Sequence, residues 1–134
     1  MQVKAYVDGG CLRNGQPDAF GYGSMRVIGR VDQTIRWEFP TVKTNNVAEY
    51  HALISALEFI DLAIQHCAWE GEILVMMDSK LVINQIKGVD EVKADHLKPL
   101  VAQARTLLGT LLASGVDIEL RRISGNDMKK MLGH

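Results

Sequence analysis

The chain has 134 residues, of which 47% are hydrophobic and 23% charged, and its formal net charge is −1. This composition is ordinary for a globular protein with its own core, so we expect one domain over residues 1–134. No apolar run approaches the ~20 residues that a membrane span requires, which predicts a protein outside the membrane. Because the net charge supplies no general attraction to polyanions, nucleic-acid binding would need a local basic patch.

We do not expect the opening residues to be a secretory signal. The opening stretch QVKAYVD has charge and strand-like alternation instead of the features of a secretory signal. The two cysteines, Cys11 and Cys67, have neither the spacing of a metal site nor the number that a disulfide framework needs. We therefore expect a reducing, cytoplasmic setting.

The first forty residues predict three strands. Residues 2–8 alternate between apolar and polar, and the glycine-containing stretch 9–19 is typical of a turn. Residues 20–29 and 34–39 predict two further strands around a polar connection. The chain is therefore expected to open as an antiparallel meander.

After the meander the hydrophobic period becomes helical. Apolar residues at helical spacing predict a long amphipathic helix from Asn46 to about His66. The unbroken apolar stretch at residues 72–77, EILVMM, is typical of a strand buried on both faces of a parallel sheet. The site of any chemistry is expected near the carboxyl end of this strand.

The last third predicts three helices and one strand. Residues 79–86 and 96–113 favour helices, the second capped by Asp95. Residues 116–120 alternate as a fifth strand, and Asn126 would cap a final short helix. The resulting order, βββαβααβα, favours a mixed sheet with helices packed on its faces.

Three acids lie where a predicted strand or helix meets a loop: Asp8, Glu49 and Asp78. Acids at such ends can converge on one cleft, and converging carboxylates need cations to coexist. Each acid also has a local explanation, since Asp8 suits a turn, Asn46 and Glu49 fit a capping box, and Asp78 could cap a helix. We prefer a shared site, because three independent caps have no reason to share one layout around the sheet.

Each of the three acids lies in a longer motif that is specific enough to indicate a family. The motifs are YVDGGCLRNG, TNNVAEYHALISALE and VMMDSKLVINQIKG. In their order and spacing the chain resembles ribonuclease H of type 1, in a short form without the basic insertion. The resemblance implies an α/β protein of the ribonuclease H-like fold, with a five-stranded mixed sheet, its first three strands antiparallel, and helices on both faces. A monomer is expected.

The resemblance also implies an activity. It predicts an endonuclease that hydrolyses the RNA strand of RNA/DNA hybrids by a two-metal-ion mechanism, with the hybrid as partner and Mg²⁺ or Mn²⁺ as cofactor. Asp8, Glu49 and Asp78 would be the metal ligands, in agreement with the preference of these hard cations for carboxylate oxygen.

Substrate contacts are assigned by the same resemblance. Gly9 and Gly10 would let the backbone approach the nucleic acid closely. Other residues would lie along the minor groove, where the 2′-OH distinguishes RNA from DNA. These residues are Cys11, Asn14, Asn45 and Asn46, with Lys80 as a further polar contact.

The carboxyl end departs from the family pattern, which has a fourth acid where this chain has Lys130. An ammonium ~6 Å from a divalent ion would be repelled by about 5–6 kcal/mol at an effective dielectric constant of ~20, so Lys130 must point away. Three alternatives are open: Asp127 supplies the fourth carboxylate, water fills its place, or activity is weak or lost and the domain only binds RNA/DNA hybrid or structured nucleic acid. A proofreading-type exonuclease is disfavoured, because its first motif pairs two acids one residue apart and glycines follow Asp8.

Overall fold

The computed structural model describes residues 2–67, 69 and 71–133. Within these ranges the elements follow the predicted order. The strands are β1 (Gln2–Leu12), β2 (Phe20–Ile28), β3 (Asp32–Phe39), β4 (Glu72–Met77) and β5 (Asp117–Arg122). The helices are α1 (Asn45–Cys67), α2 (Lys80–Lys87), α3 (Lys98–Ala113) and α4 (Gly125–Leu132), with a 3-10 turn at Asp95–Leu97 before α3.

The strands form one sheet in the order β3-β2-β1-β4-β5. The pairs β1–β2 and β2–β3 are antiparallel, whereas β1–β4 and β4–β5 are parallel. The predicted mixed sheet with three antiparallel opening strands is thereby confirmed. The chain continues from β1 to β2 on one side of the sheet and from β4 toward β5 on the other. The carboxyl ends of β1 and β4 therefore form a switch point, where a ligand site is expected.

Helices cover both faces of this sheet, as predicted. On one face, Val7 belongs to the main core together with Leu57 of α1 and Val101 of α3. On the other face, Tyr6 belongs to a smaller cluster with Met128 of α4. The side chains of β1 alternate between these two cores, because successive residues of a strand point to opposite faces.

The long helix α1 joins the sheet to α2. Its residues Leu53, Leu57 and Ile60 are fully buried, in agreement with the predicted apolar face. The Tyr50 hydroxyl donates a 2.6 Å hydrogen bond to Oε1 of the buried Gln85 in α2. None of the helices in the described ranges is long and apolar enough to cross a membrane.

The strand β1 is longer than predicted. Gly9–Leu12 continue it because they pair with Gly23–Phe20 of β2, although their sequence is typical of a turn. Interstrand hydrogen bonds override the local preference of glycine here. Asp8 therefore lies within β1 instead of at its end, and its side chain is on the α4 face of the sheet.

Two helix caps differ from the prediction. The cap of α4 is Ser124, whose Oγ accepts a 3.1 Å hydrogen bond from the Asp127 N–H, because Ser124 is the last extended residue and Asn126 is already helical. Asp95 does not cap α3, since the preceding 3-10 turn runs directly into that helix. Its carboxylate instead forms a 2.8 Å salt bridge with Lys98.

Gly9 allows β1 to pack directly on the start of α1. A Cβ at this position would lie 2.5 Å from the carbonyl oxygen of Ala48 and 2.9 Å from the Cα of Glu49. Both are backbone atoms in a packed helix, so they cannot move aside alone. The absence of a side chain at Gly9 thus sets the separation between β1 and α1.

We expect Gly9→Ala to lower the free energy of unfolding by about 1–3 kcal/mol, because the added methyl group forces β1 and α1 apart. The matched control is Gly109→Ala, in an exposed part of α3 where a Cβ meets nothing within 4 Å. That variant should raise stability by about 1 kcal/mol through helix propensity. Thermal unfolding followed by circular dichroism measures both, and a melting temperature for Gly9→Ala equal to the wild type would contradict the packing argument.

Candidate active site

Three elements bring an acid each to the switch point of the sheet. Asp8 projects from β1, and Asp78 follows the last residue of β4. Both line one cleft together with Gly125 of α4. Glu49 lies in α1 beside this pair, close enough for their negative charges to act on its carboxyl group. The structure therefore places the three predicted acids together.

The carboxyl group of Glu49 is held in an unfavourable position for a charge. Burial raises the pKa of Glu49 to about 7, a hydrogen bond with Ser79 opposes this shift, and the charges of Asp78 and Asp8 add to it. Its Oε2 is buried and has no hydrogen-bond partner among the described residues. Leaving a buried acceptor unsatisfied costs about 1–3 kcal/mol or more, so a bound cation would relieve the site.

Helix capping does not explain the acids. Oγ1 of Thr44 lies 3.4 Å from the backbone nitrogen of Val47, so Thr44 instead of Asn46 precedes the first turn of α1. Glu49 is therefore too far along the helix to form the predicted capping box. Ser79 caps α2, because its Oγ accepts a 3.2 Å hydrogen bond from the N–H of Val82. The local explanations for Glu49 and Asp78 are therefore wrong.

The donor set fits a hard divalent cation. All three groups offer carboxylate oxygen, which Mg²⁺ and Mn²⁺ prefer, and the buried Oε2 of Glu49 lacks another partner in the described part of the chain. Across residues 2–67, 69 and 71–133, however, no three His, Cys, Asp or Glu side chains are already gathered at ligand distances. Binding of an ion by all three acids would therefore require their carboxylates to approach one another.

The helix α4 borders the cleft with a lysine. Gly125 and Lys129 line it, and a Cβ at Gly125 would lie 3.7 Å from Oδ2 of Asp78. Asp127 and Lys130 are exposed and are not among the described residues that line the cleft. Lys130 thus lies outside the cleft, as the charge argument requires. Asp127 as a fourth ligand stays a prediction, and its position gives that role no support.

Predicted substrate residues are linked to each other at the start of α1. Oδ1 of Asn45 accepts a 2.8 Å hydrogen bond from the Cys11 N–H, and Oδ1 of Asn14 accepts a 2.9 Å bond from the Asn45 N–H. Asn14, Asn45 and Asn46 line one polar hollow. Because two of the amide oxygens are already used, the NH₂ groups are the donors left for a ligand.

Gly9 and Gly10 have a different steric reason from the predicted one. The backbone of α1 fills the space beside Gly9, and a Cβ at Gly10 would lie 2.5 Å from the hydroxyl of Tyr22. Both glycines therefore have a steric reason within the fold itself, and close approach of nucleic acid to their backbone stays a prediction. Lys80 is exposed at the first residue of α2. Contacts of all the predicted substrate residues with a hybrid stay predictions.

Sequence reasoning missed three residues around the acids. Tyr22 and Lys129 line the cleft, and Ser79 contacts Glu49. A signal existed for Ser79, since serine before a helix is a preferred cap. Tyr22 and Lys129 reach the cleft through strand pairing or helix rotation, which local sequence does not reveal. Nε of Arg122 donates a 3.3 Å hydrogen bond to the backbone oxygen of Asp78.

The raised pKa of Glu49 predicts a pH-dependent stability. Its folded value lies above its ordinary value of 4.5, so ionisation is disfavoured in the fold and stability is lost as the pH rises toward and through about 7. In metal-free buffer we expect Glu49→Gln to be more stable than the wild type at pH 8, by roughly 1–2 kcal/mol because solvent screens a half-buried group, and equally stable near pH 4.

Urea unfolding at the two pH values measures this difference. The control is Glu58→Gln, which removes an exposed acid from the same helix and should change little. Added Mn²⁺ should stabilise the wild type more than Glu49→Gln, because only the wild type keeps the full ligand set. A stability difference that is the same at both pH values would contradict the electrostatic origin.

Comparison with known proteins identifies relatives for most of the chain. The sequence model of the RNase H family matches residues 1–125. The bifunctional protein Rv2228c of Mycobacterium tuberculosis (strain ATCC 25618 / H37Rv) is 40% identical over 111 residues, which are 80% of this chain and 28% of that protein. The chain thus spans little more than a quarter of the curated relative's length.

Solved structures agree with this relationship. The N-terminal RNase H domain of Rv2228c, solved as a fusion with maltose-binding protein, superposes with a TM-score of 0.71 at 29% identity, over 96% of this chain and 86% of that one. LC11-RNase H1 in complex with an RNA/DNA hybrid gives a TM-score of 0.77 at 26% identity, over 96% and 89% of the two chains. The family match ends at residue 125, where α4 and its departure from the pattern begin. The family match covers nearly the whole of the 134 residues, and the sheet order and the three motifs agree with it. This chain therefore belongs to the RNase H family.

Proposed function

We propose that the protein is a metal-dependent endonuclease that hydrolyses the RNA strand of RNA/DNA hybrids. The observation that carries the proposal is that Asp8 and Asp78 line one cleft and Glu49 lies beside them, with Oε2 of Glu49 buried and unsatisfied within the described ranges. Family membership and the likeness to LC11-RNase H1, solved with an RNA/DNA hybrid, support the choice of substrate. We place this activity in a cytoplasmic monomer.

The three acids would hold Mg²⁺ or Mn²⁺, as two ions in the arrangement that the resemblance implies. When bound, these ions would activate the attacking water and stabilise the leaving 3′-oxygen of an in-line displacement. The chain contributes carboxylates at set positions. Asp8 is carried by the central strand β1, Arg122 donates to the backbone oxygen of Asp78, and Ser79 contacts the carboxyl group of Glu49.

The polar hollow at the start of α1 would recognise the RNA strand. The NH₂ groups of Asn14 and Asn45 would donate to acceptors in the minor groove, including the 2′-oxygen that DNA lacks. The internal hydrogen bonds of both side chains hold these amides in place before a ligand arrives. Such preorganisation lowers the entropy cost of binding.

A second candidate is a domain that binds hybrid but cleaves it weakly or not at all. One observation favours it: α4 contributes Lys129 to the cleft, and none of its described carboxylates. A cation there repels a metal ion that the acids attract. The two candidates therefore differ in how strongly the site holds its cofactor.

The direct test incubates the protein with an RNA/DNA hybrid, an RNA duplex and a DNA duplex, each with Mg²⁺ or Mn²⁺. We expect cleavage of the RNA strand of the hybrid alone. Asp8→Asn should lower the rate by at least about 100-fold, since several kcal/mol of charge stabilisation are lost, while hybrid binding persists. The control Asp117→Asn, an exposed acid at the start of β5, should keep the wild-type rate. Failure to cut the hybrid with either metal, with binding retained, would establish the second candidate instead.

The charge of α4 is tested by metal affinity. We expect Lys129→Gln to tighten Mn²⁺ binding by roughly 3- to 10-fold, because a positive charge leaves the cleft, whereas Lys130→Gln, outside it, should change the affinity less than about twofold. Isothermal titration calorimetry gives both values. Asp127→Asn tests the fourth ligand: a marked loss of Mn²⁺ affinity would show that Asp127 holds the metal, and an unchanged affinity would exclude that role.

A further inference from the structure

The α4 face of the sheet has a second cavity beside the catalytic cleft. Here α4 packs against Tyr6, Leu74 and Met76, whereas Ser24 of β2 and Arg36 of β3 lie outside that cluster and line an open cavity. The cavity has a volume of about 320 Å³. Its side chains include Leu12, Phe20, Tyr22, Ser24 and Arg36.

Strand register joins this cavity to the catalytic cleft. Asp8 of β1 is opposite Ser24 of β2, and Ser24 is opposite Arg36 of β3. Side chains directly opposite have Cβ atoms about 4.5–5.5 Å apart, so Ser24 is the immediate neighbour of Asp8 and Arg36 lies ~10 Å from it. Tyr22, opposite Gly10 in the next row, lines both the cleft and the cavity.

Ser24 supplies an unsatisfied polar group in this cavity. The residue is only 5% exposed, and its Oγ has no hydrogen-bond partner among the residues that the structure describes. Burying a hydroxyl without a partner costs about 1–3 kcal/mol. A ligand that offers a donor or an acceptor to Ser24 would recover this free energy.

Charge and aromatic surface complete the cavity. Arg36 is exposed and forms no ion pair with any described residue, whereas Arg26 is held by two hydrogen bonds of 2.9 and 2.6 Å to Asp32. A guanidinium without a carboxylate partner is suited to bind phosphate. Tyr22, which is 38% exposed, and the half-buried Phe20 offer ring surface on which a base can stack.

We propose that this cavity binds an unpaired nucleotide of a single nucleic-acid strand. The base would stack on Tyr22 and Phe20, the phosphate would pair with Arg36, and the sugar or base edge would hydrogen-bond to Ser24. Glu38 also lines the cavity, and its negative charge disfavours the binding of additional phosphates there. A strand that leaves the catalytic cleft past Asp8 would enter here directly.

The link between this cavity and a catalytic cleft rests on the proposed function, whereas the binding of a single strand to the cavity does not. Hybrids with an unpaired extension should therefore bind more tightly than blunt hybrids of the same duplex length. The source of the nucleotide, DNA or RNA, is distinguished by separate oligonucleotides. Neither hybrid nor metal is needed for that measurement.

The test is a titration of ¹⁵N-labelled protein with the tetranucleotides dT4 and U4, followed by NMR in metal-free buffer. We expect amide shifts concentrated in residues 20–24 and 36–38, with the tighter oligonucleotide identifying which strand of a hybrid supplies the extension. Arg36→Gln should weaken binding at least about fivefold, through loss of a charged phosphate contact. Arg30→Gln, an exposed arginine in the β2–β3 connection, is the matched control and should bind as the wild type does.

Ser24→Ala provides an independent readout, because binding and stability should move in opposite directions. Removal of the unsatisfied hydroxyl should raise the melting temperature while weakening oligonucleotide binding about two- to fivefold. Absence of shifts at these residues with both oligonucleotides, or equal weakening by Arg30→Gln and Arg36→Gln, overturns the proposal. Loss of hybrid cleavage alone would not, because the titration requires no hydrolysis.

Discussion

The direct packing of β1 on the start of α1 is the constraint on which the site depends. Gly9 leaves no side chain between the strand and the backbone of Ala48 and Glu49, so Asp8 and Glu49 lie close to each other. Burial and the nearby negative charges then raise the pKa of Glu49 to about 7. The fold thus brings together carboxylates that repel one another, and the hydrophobic core on both faces of the sheet must offset that cost.

The charge balance of the cleft follows from this constraint. The converging carboxylates favour a hard divalent cation, and the buried Oε2 of Glu49 has no hydrogen-bond partner in the described ranges. The α4 helix opposes the same negative charge with Lys129, since burial of Met128 against Tyr6 and its neighbours sets the rotation of the helix. The lysine that borders the cleft is therefore Lys129, whereas Lys130, where the sequence departs from the family pattern, lies outside it.

The sheet also explains why two binding features adjoin each other. Pairing of β1 with β2 and of β2 with β3 puts Asp8, Ser24 and Arg36 in one row on one face. Asp8, a hydroxyl without a hydrogen-bond partner and a guanidinium without an ion pair, both judged among the described residues, are thus neighbours, although Arg36 is far from Asp8 in the chain. The α4 helix leaves this part of the face open.

Hydrophobic periodicity by itself determined the order and type of the elements, and three motifs identified Asp8, Glu49 and Asp78 and the family resemblance. These features are local, because periodicity and motifs are read within one segment. Only the tertiary structure decided that β1 extends through Gly9 to Leu12, that Ser79 and Ser124 are the caps, and that Lys129 instead of Lys130 lines the cleft. Strand pairing, close packing and helix rotation depend on residues far apart in the chain, so no local pattern encodes them.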